Sequence, residues 1–209
     1  MEPRIAPINR KSNETQIEGM LNIDGTGKTK VETPIGLLSH MLELFAFHGN
    51  FNLELEVKGD THIDIHHTNE DIGIALGKAF KKALGENNLG IKRFGSAFAP
   101  MEDTLGHSVI DISGRGHLRS QVVGRVPVPS EEEGGYSLIH LEHFWDSFAK
   151  QLGANIIINV ETPTSSTNVP DVHTVMETVF KSAGMALDQA TTIDPRRTGK
   201  VPSTKGIID

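Results

Sequence analysis

The feature that most constrains this chain is a histidine–glutamate pair that occurs once in each half. His66-His67-Thr68-Asn69-Glu70 is echoed by His173-Thr174-Val175-Met176-Glu177. In each, a histidine stands four positions before a glutamate at the head of an apolar-periodic segment. On a helix, positions i and i+4 share a face, so imidazole and carboxylate can reach one cation. Such donors suit a borderline-to-hard divalent metal such as manganese. The echo is incomplete, because Thr174 occupies the place of a second histidine. A recurring motif of this kind points to two related halves.

At 209 residues and 37% hydrophobic content the chain can bury a sizeable core, as one domain or two small fused halves. A formal net charge of −7 with interspersed signs argues against nucleic-acid binding. The chain has no cysteine, which excludes disulfides, thiolate zinc sites and cysteine nucleophiles. Met1-Glu2-Pro3-Arg4-Ile5 has no apolar signal core, and no stretch reaches membrane-spanning length. The expectation is a soluble cytoplasmic protein with no membrane partner.

Residues 15–32 alternate and turn at Asp24-Gly25-Thr26-Gly27, which predicts a hairpin. Gly27-Lys28-Thr29 lacks the glycine and the strand–loop–helix setting of a phosphate loop. A buried helix is expected over 37–48, a half-buried strand over 51–57, and a strand over 62–66 with His62, Asp64 and His66 on one face. Thr68 or Asn69 would then cap a helix over 71–84. The run 85–90 divides the chain into halves 1–88 and 89–209. The second half reads as strands around 95–112 and 117–126, an acidic loop at Glu131-Glu132-Glu133-Gly134-Gly135, and a helix over 138–152. A strand over 155–160, a polar loop over 162–170 and a helix over 172–191 complete it. The order strands, helix, strand, helix therefore occurs twice. Leu42, Leu44 and Phe45, and Ile72, Ile74 and Leu76, are expected in the core.

The chain resembles the imidazoleglycerol-phosphate dehydratases of histidine biosynthesis. The resemblance rests on Asn13-Glu14-Thr15, His40-Met41-Leu42 through His48-Gly49, and Gly59-Asp60-Thr61-His62-Ile63-Asp64 running into His66-His67-Thr68-Asn69-Glu70-Asp71. It continues through Ile91-Lys92-Arg93-Phe94-Gly95, Asp111-Ile112-Ser113-Gly114-Arg115, Glu142-His143-Phe144, 177–181 and Pro202-Ser203-Thr204-Lys205-Gly206. The first half fits closely and residues 116–175 fit poorly.

The resemblance implies an α+β fold of two similar fused halves, each a mixed sheet backed by helices, as in the second domain of ribosomal protein S5. Sheets lie outside and helices between. It implies a large hollow homo-oligomer of 24-mer type, with active sites between subunits and two manganese ions in each. One ion would use His40, His67, His173 and Glu177. The other would use His66 and Glu70 with two histidines whose places fall, by alignment, near Ile157 and at Thr174. One complete and one depleted metal site are expected, with His140, His143, Asn159 or Asp171 as conceivable substitutes.

The implied reaction dehydrates D-erythro-imidazoleglycerol phosphate to imidazole acetol phosphate. The proton removed is not beside a carbonyl, so the ring, held as imidazolate between metals, must relay the electrons. Glu14 and Glu177 are the catalytic carboxylates, with Glu14 the base. The substrate phosphate falls to Arg93, Arg115, Lys181, Ser203 and Lys205, since guanidinium forks and ammonium charges suit a dianion. Taken singly, each of these is an ordinary surface charge, and His40 alone an ordinary half-buried histidine. His48 and His62 are expected to be structural or to support the ligands, with Asp64 orienting a ligand ring. Ser39 replaces the family's aspartate before His40, which removes an acceptor for that ring, and Glu102-Asp103 reverses the family's acidic order. The alternative is an impaired or repurposed homologue that keeps the shell and one metal.

Overall fold

The computed structural model describes residues 3–125, 133–164 and 169–208. Glu131, Glu132 and residues 165–168 of the two loops expected above lie outside them. The first half runs β1 (Ile5–Lys11), β2 (Thr15–Asn22), β3 (Thr29–Glu32), α1 (Gly36–His48), β4 (Asn52–Gly59) and α2 (Ile65–Leu84). The second runs β5 (Phe94–Met101), β6 (Thr104–Asp111), β7 (His117–Val123), α3 (Leu138–Leu152), β8 (Asn155–Glu161) and α4 (Val172–Thr191).

Each half forms one four-stranded mixed sheet, with strand orders β1-β2-β4-β3 and β5-β6-β8-β7. In both, the first three neighbours are antiparallel and the last pair is parallel. The period-2 pattern sends Ile17, Leu53, Leu55 and Val57 inward and leaves Glu18, Glu54 and Glu56 on the outer face. The helices fill the layer between the sheets, α2 against α3 and α1 against α4. Their apolar faces meet in an aromatic cluster in which the Phe45 ring meets Phe80, Trp145 and Phe148 edge-on.

Two glycines set the closeness of the helix pairs. A β-carbon at Gly77 of α2 would stand 2.6 Å from the Phe148 carbonyl oxygen of α3. One at Gly184 of α4 would stand 2.4 Å from the Phe45 carbonyl oxygen of α1. Gly77 and Gly184 hold the same place relative to the two motifs, as Phe45 and Phe148 do along α1 and α3. The halves are thus related residue for residue at their helical contacts, and this relation positions the site.

Three expectations differ from the structure. The 15–32 hairpin does not form. β2 pairs instead with β1 and β4, while β3 lies parallel to β4. Residues 62–66 are not a strand, because α2 begins at Ile65 with Asp64 as its cap, accepting from the His66 N–H at 2.8 Å. Thr68 and Asn69 are therefore not caps but buried residues of the first turns. The helices 138–152 and 172–191 stand as read. Among the described residues, no helix is long and apolar enough to cross a membrane.

Candidate metal centre

The first turn of α4 carries His173 and Glu177, held in register by Asp171. This N-cap accepts from the Thr174 N–H at 2.7 Å, which holds its carboxyl below the usual range. α1, packed on α4, brings in His40 from the first half. Glu177 Oε1 lies 2.9 Å from His173 Nε2 and 3.2 Å from His40 Nε2. One ligand atom from each of the three residues lies within 4.8 Å of the others. Two imidazole nitrogens and a carboxylate oxygen converging this closely fit a divalent cation without thiolates.

Glu177 also pairs with Lys181, one turn on. Burial alone would raise its pKa. Hydrogen bonds from Lys181, His173 and His40 outweigh that and hold it at about 2. A carboxylate so stabilised suits ligation better than proton transfer at neutral pH. His48, on the same helix as His40, is held toward the neutral imidazole by burial and by the nearby Lys181 charge.

His67, expected as the fourth donor here, belongs to another group. Its Nδ1 lies 3.6 Å from Asp60 Oδ2 and 3.9 Å from Glu14 Oε2. That buried nitrogen and Asp60 Oδ1 each lack a hydrogen-bond partner. Glu14 is placed by the β1–β2 turn, where its N–H donates to Ser12 Oγ at 3.2 Å and its carbonyl accepts from the Asp60 N–H at 3.1 Å. Asp60 is a member of this group that the motif search passed over, although it sits in the matching stretch 59–64.

The first motif builds a third group. His66 Nε2 lies 3.8 Å from Glu70 Oε2, and His66 Nδ1 lies 3.0 Å from His143 Nδ1 of α3. Ser147 Oγ reaches Glu70 Oε1 at 3.5 Å. His143 occupies on α3 the place of His40 on α1, so the repeat pairs His143 with His66 as it pairs His40 with His173. Ile157, where alignment expected a missing histidine, sits on the β8 strand, in register with Val109 and Arg119. The imidazole beside His66 comes from α3, not from β8. Thr174 is the counterpart of His67 and is buried.

Asn69 ties this motif to the second half. Its Oδ1 accepts from the buried Tyr136 hydroxyl at 2.6 Å, and its Nδ2 donates to the His140 carbonyl at 2.8 Å. His140 Nδ1 in turn faces Ser137 Oγ at 3.0 Å, closing a capping box at the start of α3. Ser39, which replaces the expected acceptor before His40, points its hydroxyl at Thr33 Oγ1, 2.9 Å away.

The residues expected at phosphate meet several different partners within the chain. Arg93 forks onto Asp111, with Nε to Oδ1 at 2.6 Å and Nη2 to Oδ2 at 3.1 Å, and its Nη1 donates to the Pro202 carbonyl at 3.1 Å. It thereby anchors the turn in which Ser203 Oγ accepts from the Lys205 N–H at 3.2 Å. Arg115 follows the Ser113-Gly114 turn, its N–H directed at Ser113 Oγ at 3.4 Å. Lys181 belongs with Glu177.

The chain is extensively similar to known proteins in sequence and in fold. The sequence model described as "Imidazoleglycerol-phosphate dehydratase" matches residues 33–187. A protein of that name from Geobacillus kaustophilus is 47% identical over 206 residues, covering 98% of this chain and 99% of the relative. One from Bacillus pumilus is 45% identical over 205 residues, covering 98% and 100%. Among solved structures, the IGPD from Pyrococcus furiosus in complex with (S)-C348 superposes with a TM-score of 0.77 at 32% identity, covering 95% of this chain and 99% of that one. Imidazoleglycerol-phosphate dehydratase from Staphylococcus aureus gives 0.74 at 27% identity, covering 91% and 99%. The two-sheet α+β fold, the motif geometry and these likenesses together place the chain in the imidazoleglycerol-phosphate dehydratase family.

Proposed function

We propose that this chain dehydrates D-erythro-imidazoleglycerol phosphate to imidazole acetol phosphate, a cytoplasmic step of histidine biosynthesis, with manganese as its metal. The observation that carries the metal reading is the convergence of His40, His173 and Glu177, with ligand atoms within 4.8 Å of one another. His66, Glu70 and His143 offer a second, looser set of the same donor types. Bound manganese would supply Lewis acidity toward the imidazole ring of the substrate.

The protein's own groups then divide the remaining work. The hydroxyl that leaves sits next to the ring, and the proton that leaves sits one carbon further out. A carboxylate beside the bound ring can take that proton, and Glu14 is placed for it next to His67. Glu177 stays ionised as a ligand. Lys181 neutralises it, and the phosphate falls to Arg115, Ser203 and Lys205, whose charges and hydroxyl suit a dianion. Arg93 acts through its hold on the Pro202 carbonyl, fixing the 202–206 turn.

His67 and Glu14 stand apart from the His40–His173–Glu177 set within one chain. This favours a site closed by a second copy, which would bring the His67 group of one subunit to the His173 group of another. Such closure requires self-association, and the reading adopts a large homo-oligomer of the 24-mer type. One observation favours the second reading, an impaired homologue: Thr174 stands in the place that matches His67 and offers no imidazole. The test is turnover of imidazoleglycerol phosphate by chelator-stripped protein titrated with manganese. Restored turnover supports the enzyme. Tight manganese uptake without turnover supports the impaired homologue.

A further inference from the structure

We infer that Glu133 is a positioning residue for His173. The inference rests on the proposed manganese site and concerns a residue just before α3, in the stretch where the sequence fits the family least. Glu133 reaches the head of α4 with both oxygens. Its Oε2 accepts from the His173 N–H at 3.1 Å, and its Oε1 lies 3.3 Å from His173 Nδ1. A backbone bridge in which Glu133 and Tyr136 exchange hydrogen bonds of 2.9 and 3.0 Å fixes the segment that carries it. The buried Tyr136 hydroxyl ties that segment in turn to Asn69 of the first motif.

The chemistry follows from the two nitrogens of the ring. For His173 Nε2 to give a lone pair to a cation beside Glu177, the proton must sit on Nδ1. Glu133 Oε1 is the acceptor facing that nitrogen. A carboxylate behind a ligating imidazole fixes the tautomer and ring orientation and raises donor strength. Among the described residues the other motif copy shows no such carboxylate, and His66 Nδ1 meets His143 Nδ1. Glu133 therefore gives the His40–His173–Glu177 set an advantage that the repeat does not share. His40 is preceded by Ser39, whose hydroxyl faces Thr33, so the carboxylate support of this set comes through His173.

The test separates ring positioning from a general loss of stability. Chelator-stripped protein is titrated with manganese, and free Mn2+ is read by its EPR signal. The class of sites lost in His173→Ala marks the set in question. Glu133→Ala is expected to weaken that class by about 10–100-fold, with Glu133→Gln, which keeps an oxygen but no charge, in between. Asp24→Asn breaks the Arg4 pair at the opposite end of α4 from the His173 ring, so it lowers the unfolding temperature and leaves manganese affinity within about twofold. If Glu133→Ala and Glu133→Gln both bind as the unaltered protein does, the inference is overturned while the metal reading stands. If the unaltered protein takes up no manganese, both fall.

Discussion

His40 on α1 and His143 on α3 occupy equivalent turns of the repeated helix, and each brings its imidazole to the histidine that opens a motif. The ring centroids are 5.4 Å apart for His40 and His173 and 4.6 Å apart for His143 and His66. On the proposed metal reading, His143 would supply one imidazole to the second donor set, and Thr174 marks the one it lacks.

That difference can be measured. Thr174→His is expected to raise manganese uptake, and with it turnover at limiting manganese. Ile157→His should change neither. His143→Ala should weaken the second class of sites by about 10–100-fold. The readouts are manganese binding isotherms and turnover on the same preparations. A gain from Ile157→His with none from Thr174→His would reverse the assignment.

Tyr136→Phe removes the donor to Asn69 Oδ1 within a buried contact. Leaving that amide oxygen unpaired is expected to cost about 1–3 kcal/mol. Because Asn69 lies one residue before Glu70, manganese binding at the second set should weaken too. Thermal unfolding and the binding isotherm check the two parts separately.

Gly77→Ala and Gly184→Ala each drive a methyl group toward a carbonyl oxygen of the facing helix. Each helix pair must spread, at an expected cost of about 1–3 kcal/mol. Differential denaturant unfolding of the two variants reads it. Similar losses are expected, since the two contacts are repeats of one another.

The acid limb of stability should depend on Asp24. Arg4 forks onto its carboxylate, Nη2 to Oδ1 at 2.6 Å and Nε to Oδ2 at 2.9 Å, and also donates to the Thr191 carbonyl at 2.8 Å. The side-chain bonds from Arg4 lower the Asp24 pKa against the opposing effect of burial. A depressed carboxyl contributes stability that is present above its unfolded value, about 3.9, and is lost as pH falls toward the folded value. Asp24→Asn should flatten the stability profile below about pH 4 relative to the unaltered protein. Unfolding temperatures across pH 2.5–6 would show it. An unchanged acid limb would contradict the pairing.

Much of this was legible in the residues, and the failures have local causes. The i, i+4 spacing of His173 and Glu177 needs only a helix, so their convergence could be read directly. α3 carries its own punctuation, Ser137 at the cap and Gly153 in the left-handed conformation after it, and its bounds were read to the residue. The stretch 62–66 alternates like a strand, but Asp64 is a cap, and capping decides where the chain turns helical. β1 was missed because Pro7 interrupts its pattern, although an edge strand tolerates proline. With β1 unseen, Thr15–Asn22 was given the wrong partner. The parallel pairing of β3 with β4 is a long-range contact that no local pattern encodes. Glu133 gave no signal at all: it reads as one acid among three, and only the return of the chain to α4 gives it a partner. In the sequence His143 is only one of four conceivable substitute donors, because its match to His40 lies in helix packing rather than in neighbouring residues.

The most direct test of the central claim is anomalous diffraction at the manganese edge from crystals soaked in manganese. The account predicts a peak bounded by His40 Nε2, His173 Nε2 and a Glu177 oxygen. Crystals that show manganese elsewhere, or none, with those three side chains empty of any cation, would contradict it.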